Sequence, residues 1–136
     1  MSMRAWTEQG YGFALFNGNN LKNIIDFIID NSNLSFDERN ELLDSHDELE
    51  MYEVMGDTAC GIVAAIINKK EGSIIISGYD SCGDTDQDSM LGIAPSYPWE
   101  GVKRMSREEA DELLCKYAIL LGITEAPHYF EASYFG

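Results

Sequence analysis

From Leu21 to Ile29 the apolar residues Leu21, Ile24, Ile25, Ile28 and Ile29 recur at i, i+3, i+4, i+7 and i+8, which is one face of a helix. Lys22, Asp26 and Asp30 fall on the other side, so the segment reads as amphipathic. Asn17, Gly18, Asn19 and Asn20 punctuate the chain just before it, and Asn19 or Asn20 is placed to cap the helix. Upstream, Met3 to Trp6 and Tyr11 to Phe16 predict one or two short strands around a glycine-containing turn.

Ser35 and Glu38 have the spacing of a capping box, in which each side chain satisfies the other's free backbone amide at a helix start. Leu42 and Leu43 give the helix that follows only a narrow apolar edge. The stretch from Asp47 to Glu50 reads as the restart of a short helix through Met51, Tyr52, Val54 and Met55 before Gly56. Thr58 to Ile67 is small and apolar on nearly every face, as in a buried helix, and Lys69, Lys70 and Gly72 end it favourably. From Ser73 to Tyr79 the period changes to a continuous β-branched run, which predicts a buried strand. Ser89 to Ala94 is its hairpin partner across residues 80–88, and Pro95, Pro98 and Trp99 then break regular structure. Ser106 and Glu109 form a second capping box, opening a helix that buries Leu113, Leu114, Tyr117, Ala118 and Leu121 before Gly122. The aromatic tail from His128 to Phe135 predicts a last strand. Few of these connections read as βαβ crossovers. The expectation is an α+β fold in a single domain, residues 1–136, with a small, mainly antiparallel sheet of three to five strands and three to four helices.

Composition agrees with a folded domain. At 136 residues and 45% apolar content the chain can form one core. The longest apolar run, Ile62 to Ile67, is far short of a membrane span, and Glu8 and Gly10 interrupt the N-terminal region before any signal-peptide core. A soluble, cytoplasmic protein is expected. Cys60, Cys82 and Cys115 form no Cys-x-x-Cys pair, and only His46 and His128 could join them as zinc ligands. Reduced thiols without a cofactor follow, with Cys60 and Cys115 on apolar helix faces.

Charge changes the picture most. The formal net charge is −15, and residues 37–88 carry −11 of it, with 14 acidic residues against Arg39, Lys69 and Lys70. Such a field repels nucleic acid and anionic membranes and attracts basic partners. If residues 36–48 form one helix, Asp37, Glu41, Asp44 and Glu48 line a single face, with Asp47 beside them. A row of anions at that pitch imitates the phosphates of nucleic acid. The loop aspartates Asp84, Asp86 and Asp88 match the first three ligand positions of a calcium loop. The match then fails, because Ser89 stands where glycine belongs and Pro95 where a bidentate glutamate belongs.

No catalytic motif appears. Cys82 with His128 or His46 as base is disfavoured by the neighbouring aspartates, which oppose a thiolate. Lys103, Arg104 and Arg107 cluster at the start of the last helix and form the best anion site on offer. The aromatics Tyr79, Tyr97, Trp99, Tyr129, Phe130, Tyr134 and Phe135 supply either core packing or a surface for a nucleotide-like ligand. In its general profile, small, acidic and without catalytic motifs, the chain is similar to nucleic-acid-mimic inhibitors such as anti-CRISPR proteins. It is similar also to immunity proteins that neutralise basic nucleases. That likeness is carried by no motif and transfers no residue roles.

The leading expectation is therefore a non-enzymatic protein that docks on a basic, nucleic-acid-binding partner through Asp37, Glu41, Asp44, Asp47, Glu48, Asp84, Asp86 and Asp88. It would bind neither nucleic acid nor membrane directly. The alternative is a small-ligand or divalent-metal domain, and so a candidate enzyme. It would use Lys103, Arg104 and Arg107 for a phosphate-bearing ligand, or the three loop aspartates for calcium or magnesium.

Overall fold

The computed structural model describes residues 5–79, 89–94 and 105–135. Among them lie five helices and one four-stranded antiparallel sheet, so the α+β class holds. The strands are β1 (Ala5–Ala14), β2 (Ile76–Tyr79), β3 (Met90–Ile93) and β4 (His128–Phe135), in the order β2-β3-β1-β4. The helices are α1 (Leu21–Asp30), α2 (Phe36–Leu43), α3 (Glu48–Met55), α4 (Ala59–Glu71) and α5 (Arg107–Leu121). The five helices exceed the expected three to four, and α3 is the short restart read after Asp47.

Helix α1 buries Ile24, Ile25, Phe27 and Ile28, and α5 buries Leu113, Leu114, Tyr117, Ala118 and Leu121 together with Ala110. These side chains meet Phe13 and Leu15 from the β1 end of the sheet, Leu91 of β3, and Val63 and Ile67 of α4 in one core. Each large aliphatic removed from water there contributes on the order of 1.5–3 kcal/mol before the entropy of ordering is subtracted. The first capping box forms as read, with Ser35 Oγ accepting from Glu38 N while Glu38 reaches back to Ser35 N. At the second, the cap half is present, Ser106 Oγ accepting from Glu109 N, without the reciprocal Glu109 bond among the described residues. Gly56, Gly72 and Gly122 end α3, α4 and α5 in the left-handed conformation.

Several local expectations are corrected by contacts distant in sequence. β1 is one ten-residue strand, with no turn at Gly10. Glycine at 10 instead leaves room for the Phe130 ring, since a Cβ there would lie 2.6 Å from that ring's Cζ. Asn20 stands at the N-cap of α1, but its side chain does not cap it. Its Nδ2 donates to Leu15 O and Leu121 O, at 2.8 and 2.9 Å, tying the end of β1 to the end of α5. β2 begins at Ile76, not Ser73, because Asn68 Oδ1 of α4 takes the amides of Ile75 and Ile76, and Ile74 is left 89% exposed. Cys60 is core, whereas Cys115 is exposed on α5, away from the packed face.

Gly78 explains how closely helix and sheet approach. A Cβ on it would sit 2.7 Å from the Cys60 carbonyl carbon, so the first turn of α4 rests directly on β2. No helix among the described residues is long and apolar enough to cross a membrane.

Candidate functional site

The acidic row of residues 36–48 is not one helix. Asp44 caps the C-terminal end of α2, and Asp47 opens α3 by accepting from Glu50 N at 2.8 Å. The signal that broke the row was local: an aspartate three residues before an acidic N3 position is a strong helix start, and it competes with continuation of α2.

The break sorts the five helical candidates. Asp37, Glu41 and Asp44 remain exposed and follow one another at i, i+4 and i+7 along α2. Neighbours at that spacing have Cβ atoms about 5–6 Å apart and repel by a few tenths of a kcal/mol per pair. Among the described residues none of the three enters a salt bridge. Asp44 is placed against the helix dipole, since a carboxylate at a C-terminus costs about 0.3–1 kcal/mol and α2 has no basic residue in its last turn. Asp47 is engaged as a cap. Glu48 turns inward instead, accepting a short hydrogen bond from the buried Ser89 Oγ.

That last contact bears on the second acidic stretch. Asp84, Asp86 and Asp88 lie outside the described residues, but Ser89 follows them directly in the chain. Ser89 itself is held at the first turn of α3 by this bond. Among the described residues no group of three or more His, Cys, Asp or Glu could hold a metal ion.

A second feature is a cavity of about 860 Å³ where α5 begins, over β1, β3 and β4. Tyr11, Ile93, Met105, Arg107, Ala110 and Tyr129 are among its lining residues. The Arg107 guanidinium lies 5.8 Å from the Tyr11 ring centroid, and the Tyr129 ring packs on Tyr11 at 4.8 Å. Tyr11 Oη donates to Asp111 Oδ1 at 2.5 Å, and that acceptor, with burial, raises the phenol above its usual range. Of the three basic residues singled out in the sequence, Arg107 reaches this cavity; Lys103 and Arg104 lie outside the described residues. Asp111 offsets its charge, and Glu131 is another lining residue of the cavity.

The aromatic candidates divide as well. Tyr79 is buried, packs edge-on against Phe130 at 5.0 Å and donates to Gln9 O, which makes it structural. Tyr129 is 76% exposed at the cavity mouth. Tyr97 and Trp99 lie outside the described residues, and the side chains of Tyr134 and Phe135 are likewise not described. Of the nucleophile candidates Cys82 is outside the described residues. His128 pairs with Glu125, which raises its pKa, and its Nδ1 lies 3.2 Å from Tyr129 O. His46 is exposed in the turn between α2 and α3.

Comparison of the chain with protein-family models, with curated proteins and with solved structures found no match.

Proposed function

We propose that this chain is a non-enzymatic binding protein whose acidic α2–α3 region docks on a basic, nucleic-acid-binding partner and occupies the Lys and Arg sites that otherwise hold phosphate. The observation that carries the reading is the exposed row Asp37, Glu41 and Asp44 along α2, none of which enters a salt bridge among the described residues. The placement of Asp44 supports it too: a carboxylate that costs α2 stability is easier to account for as a contact residue than as a folding device. The field of residues 36–57, nine acids against Arg39, would accelerate encounter with a cationic surface.

Affinity capture from the native host's lysate at low and at high salt, with the wild type and with Asp37→Lys/Glu41→Lys/Asp44→Lys, tests this reading. The expected result is salt-sensitive capture of a basic nucleic-acid-binding protein, lost in the variant. Equal capture by both would make the acidic face a solubility device.

A second reading is favoured by the cavity at α5, where Arg107 and Tyr129 offer a cation and an aromatic face to a small anionic ring system. A thermal-melt screen with nucleotides, calcium and magnesium separates it from the first, because a ligand preferring the native state raises the melting temperature.

A further inference from the structure

Burial along α2 and α3 does not follow charge alone. Each helix buries a single residue against the core, Leu42 on α2 and Met51 on α3. Phe36 is 78% and Leu49 66% exposed, and Leu43 and Tyr52 are each about half exposed. Four of the eight large hydrophobic residues exposed among the described residues therefore belong to this one short helix pair. Scattered single exposures are ordinary on a protein surface, but a concentration of them marks an interaction site.

Helical geometry groups them. Phe36 and Leu43 are seven residues apart, so they return to within about 20° of each other and form a stripe roughly 10 Å long on α2. Leu49 and Tyr52 are i, i+3 neighbours on α3. Interleaved with them are Asp37, Glu41, Asp44 and Glu53, all exposed. Apolar and aromatic anchors set among charged residues are the composition of a protein–protein contact, in which the buried anchors supply most of the affinity and the polar rim supplies orientation.

We infer that the outer surface of α2 and α3 is a docking face with apolar anchors, and that its partner is a protein presenting an apolar recess ringed by Lys and Arg. This rests on the proposed basic-partner reading and adds to it what holds the complex together once the charges have met. Charge complementarity selects the occupant. A second copy of this chain would set two such regions, each with a net charge of −8 over residues 36–57, against one another. An anionic membrane or a nucleic acid meets the same repulsion. A cationic protein surface gains from both components, and the apolar one survives salt that screens the other.

Two synthetic helical peptides of equal length and charge test the inference, one built of Lys and Leu, the other of Lys and Gln. Their binding would be followed by calorimetry, with amide chemical shifts locating the site, at about 0.05 M and about 0.5 M NaCl. The expected result is that the Lys/Leu peptide binds at least about tenfold more tightly, retains binding at high salt and shifts the amides of α2 and α3. Phe36→Ser/Leu49→Ser/Tyr52→Ser removes that advantage, with an unchanged melting curve to show that the fold is intact. Asp37→Lys/Glu41→Lys/Asp44→Lys weakens both peptides at low salt. Equal binding of the two peptides, or an advantage that survives the triple serine substitution, overturns the inference and leaves the acidic-face reading standing. Binding of neither peptide at low salt overturns both.

Discussion

Tyr117→Phe isolates one hydrogen bond that joins α4 to α5. The Tyr117 side chain is buried, and its hydroxyl donates to Glu71 Oε2 at 2.6 Å while Lys116 Nζ holds the same oxygen at 3.1 Å. Burial, together with Glu71, pushes the Tyr117 phenol up to about 12, and the bonds from Tyr117 and Lys116 hold the Glu71 carboxyl below its ordinary value of 4.5. Phenylalanine keeps the ring and its edge-on contact with Phe27 at 6.3 Å, so the substitution removes an oxygen and little else. A hydrogen bond to a charged group contributes about 1.5–3 kcal/mol, and the partial exposure of Glu71 places this one near the lower end. For a domain of this size that is a fall of roughly 4–7 °C in melting temperature.

The effect has a pH signature. Because the Glu71 carboxyl is depressed in the folded state, the stability it contributes is present above its unfolded value of 4.5 and is lost as pH falls through the folded value. Without the Tyr117 donor that depression shrinks. Urea unfolding of both proteins, followed by circular dichroism from about pH 7 to about pH 3, should show a difference that is widest near neutrality and narrows below about pH 4.5. A difference independent of pH would assign the whole loss to packing, and no difference at all would refute the α4–α5 bond as a stabilising contact.

Three further outcomes are expected. Gly78→Ala forces a Cβ against the backbone of Cys60 and Gly61 at 2.7–2.9 Å and should cost about 1–3 kcal/mol in denaturant unfolding, whereas a wild-type midpoint would mean that α4 does not rest on β2. Asp44→Asn removes a carboxylate from the C-terminal end of α2 and should raise stability by about 0.3–1 kcal/mol, read as a rise in melting temperature that high salt reduces. Glu125→Gln should lower the His128 pKa in an NMR titration. The raised pKa of His128 makes its stabilisation present below its unfolded value of 6.5 and lost as pH rises through the folded value. The variant should therefore match the wild type in alkaline solution and fall below it in acid.

Periodicity carried α1 and α5 into the structure almost residue for residue, because each buries one continuous face against the core. Caps at Ser35 and Ser106 were legible for the same reason, since each acts within one turn of its own position. The misreadings arise where a distant side chain decides. Gly10 resembles a turn until Phe130 lies on it, and the strand residues from Ser73 lose their start to Asn68. The acidic surface was visible in the charge distribution, but its break at Asp44–Asp47 followed from a cap that competed with the helix. The inward turn of Glu48 required Ser89, 41 residues away. The exposed Phe36, Leu43, Leu49 and Tyr52 left no sequence signal, since nothing in a local pattern shows which apolar residues the core will leave uncovered.

The central claim is that the acidic face occupies sites that otherwise hold phosphate. Displacement of a fluorescent nucleic acid from the captured basic partner tests it most directly, with fluorescence anisotropy read as this chain is added. Anisotropy should fall to that of free nucleic acid with wild type, and should stay high with Asp37→Lys/Glu41→Lys/Asp44→Lys at the same concentration. A partner that keeps its nucleic acid while binding the wild-type chain would contradict the claim.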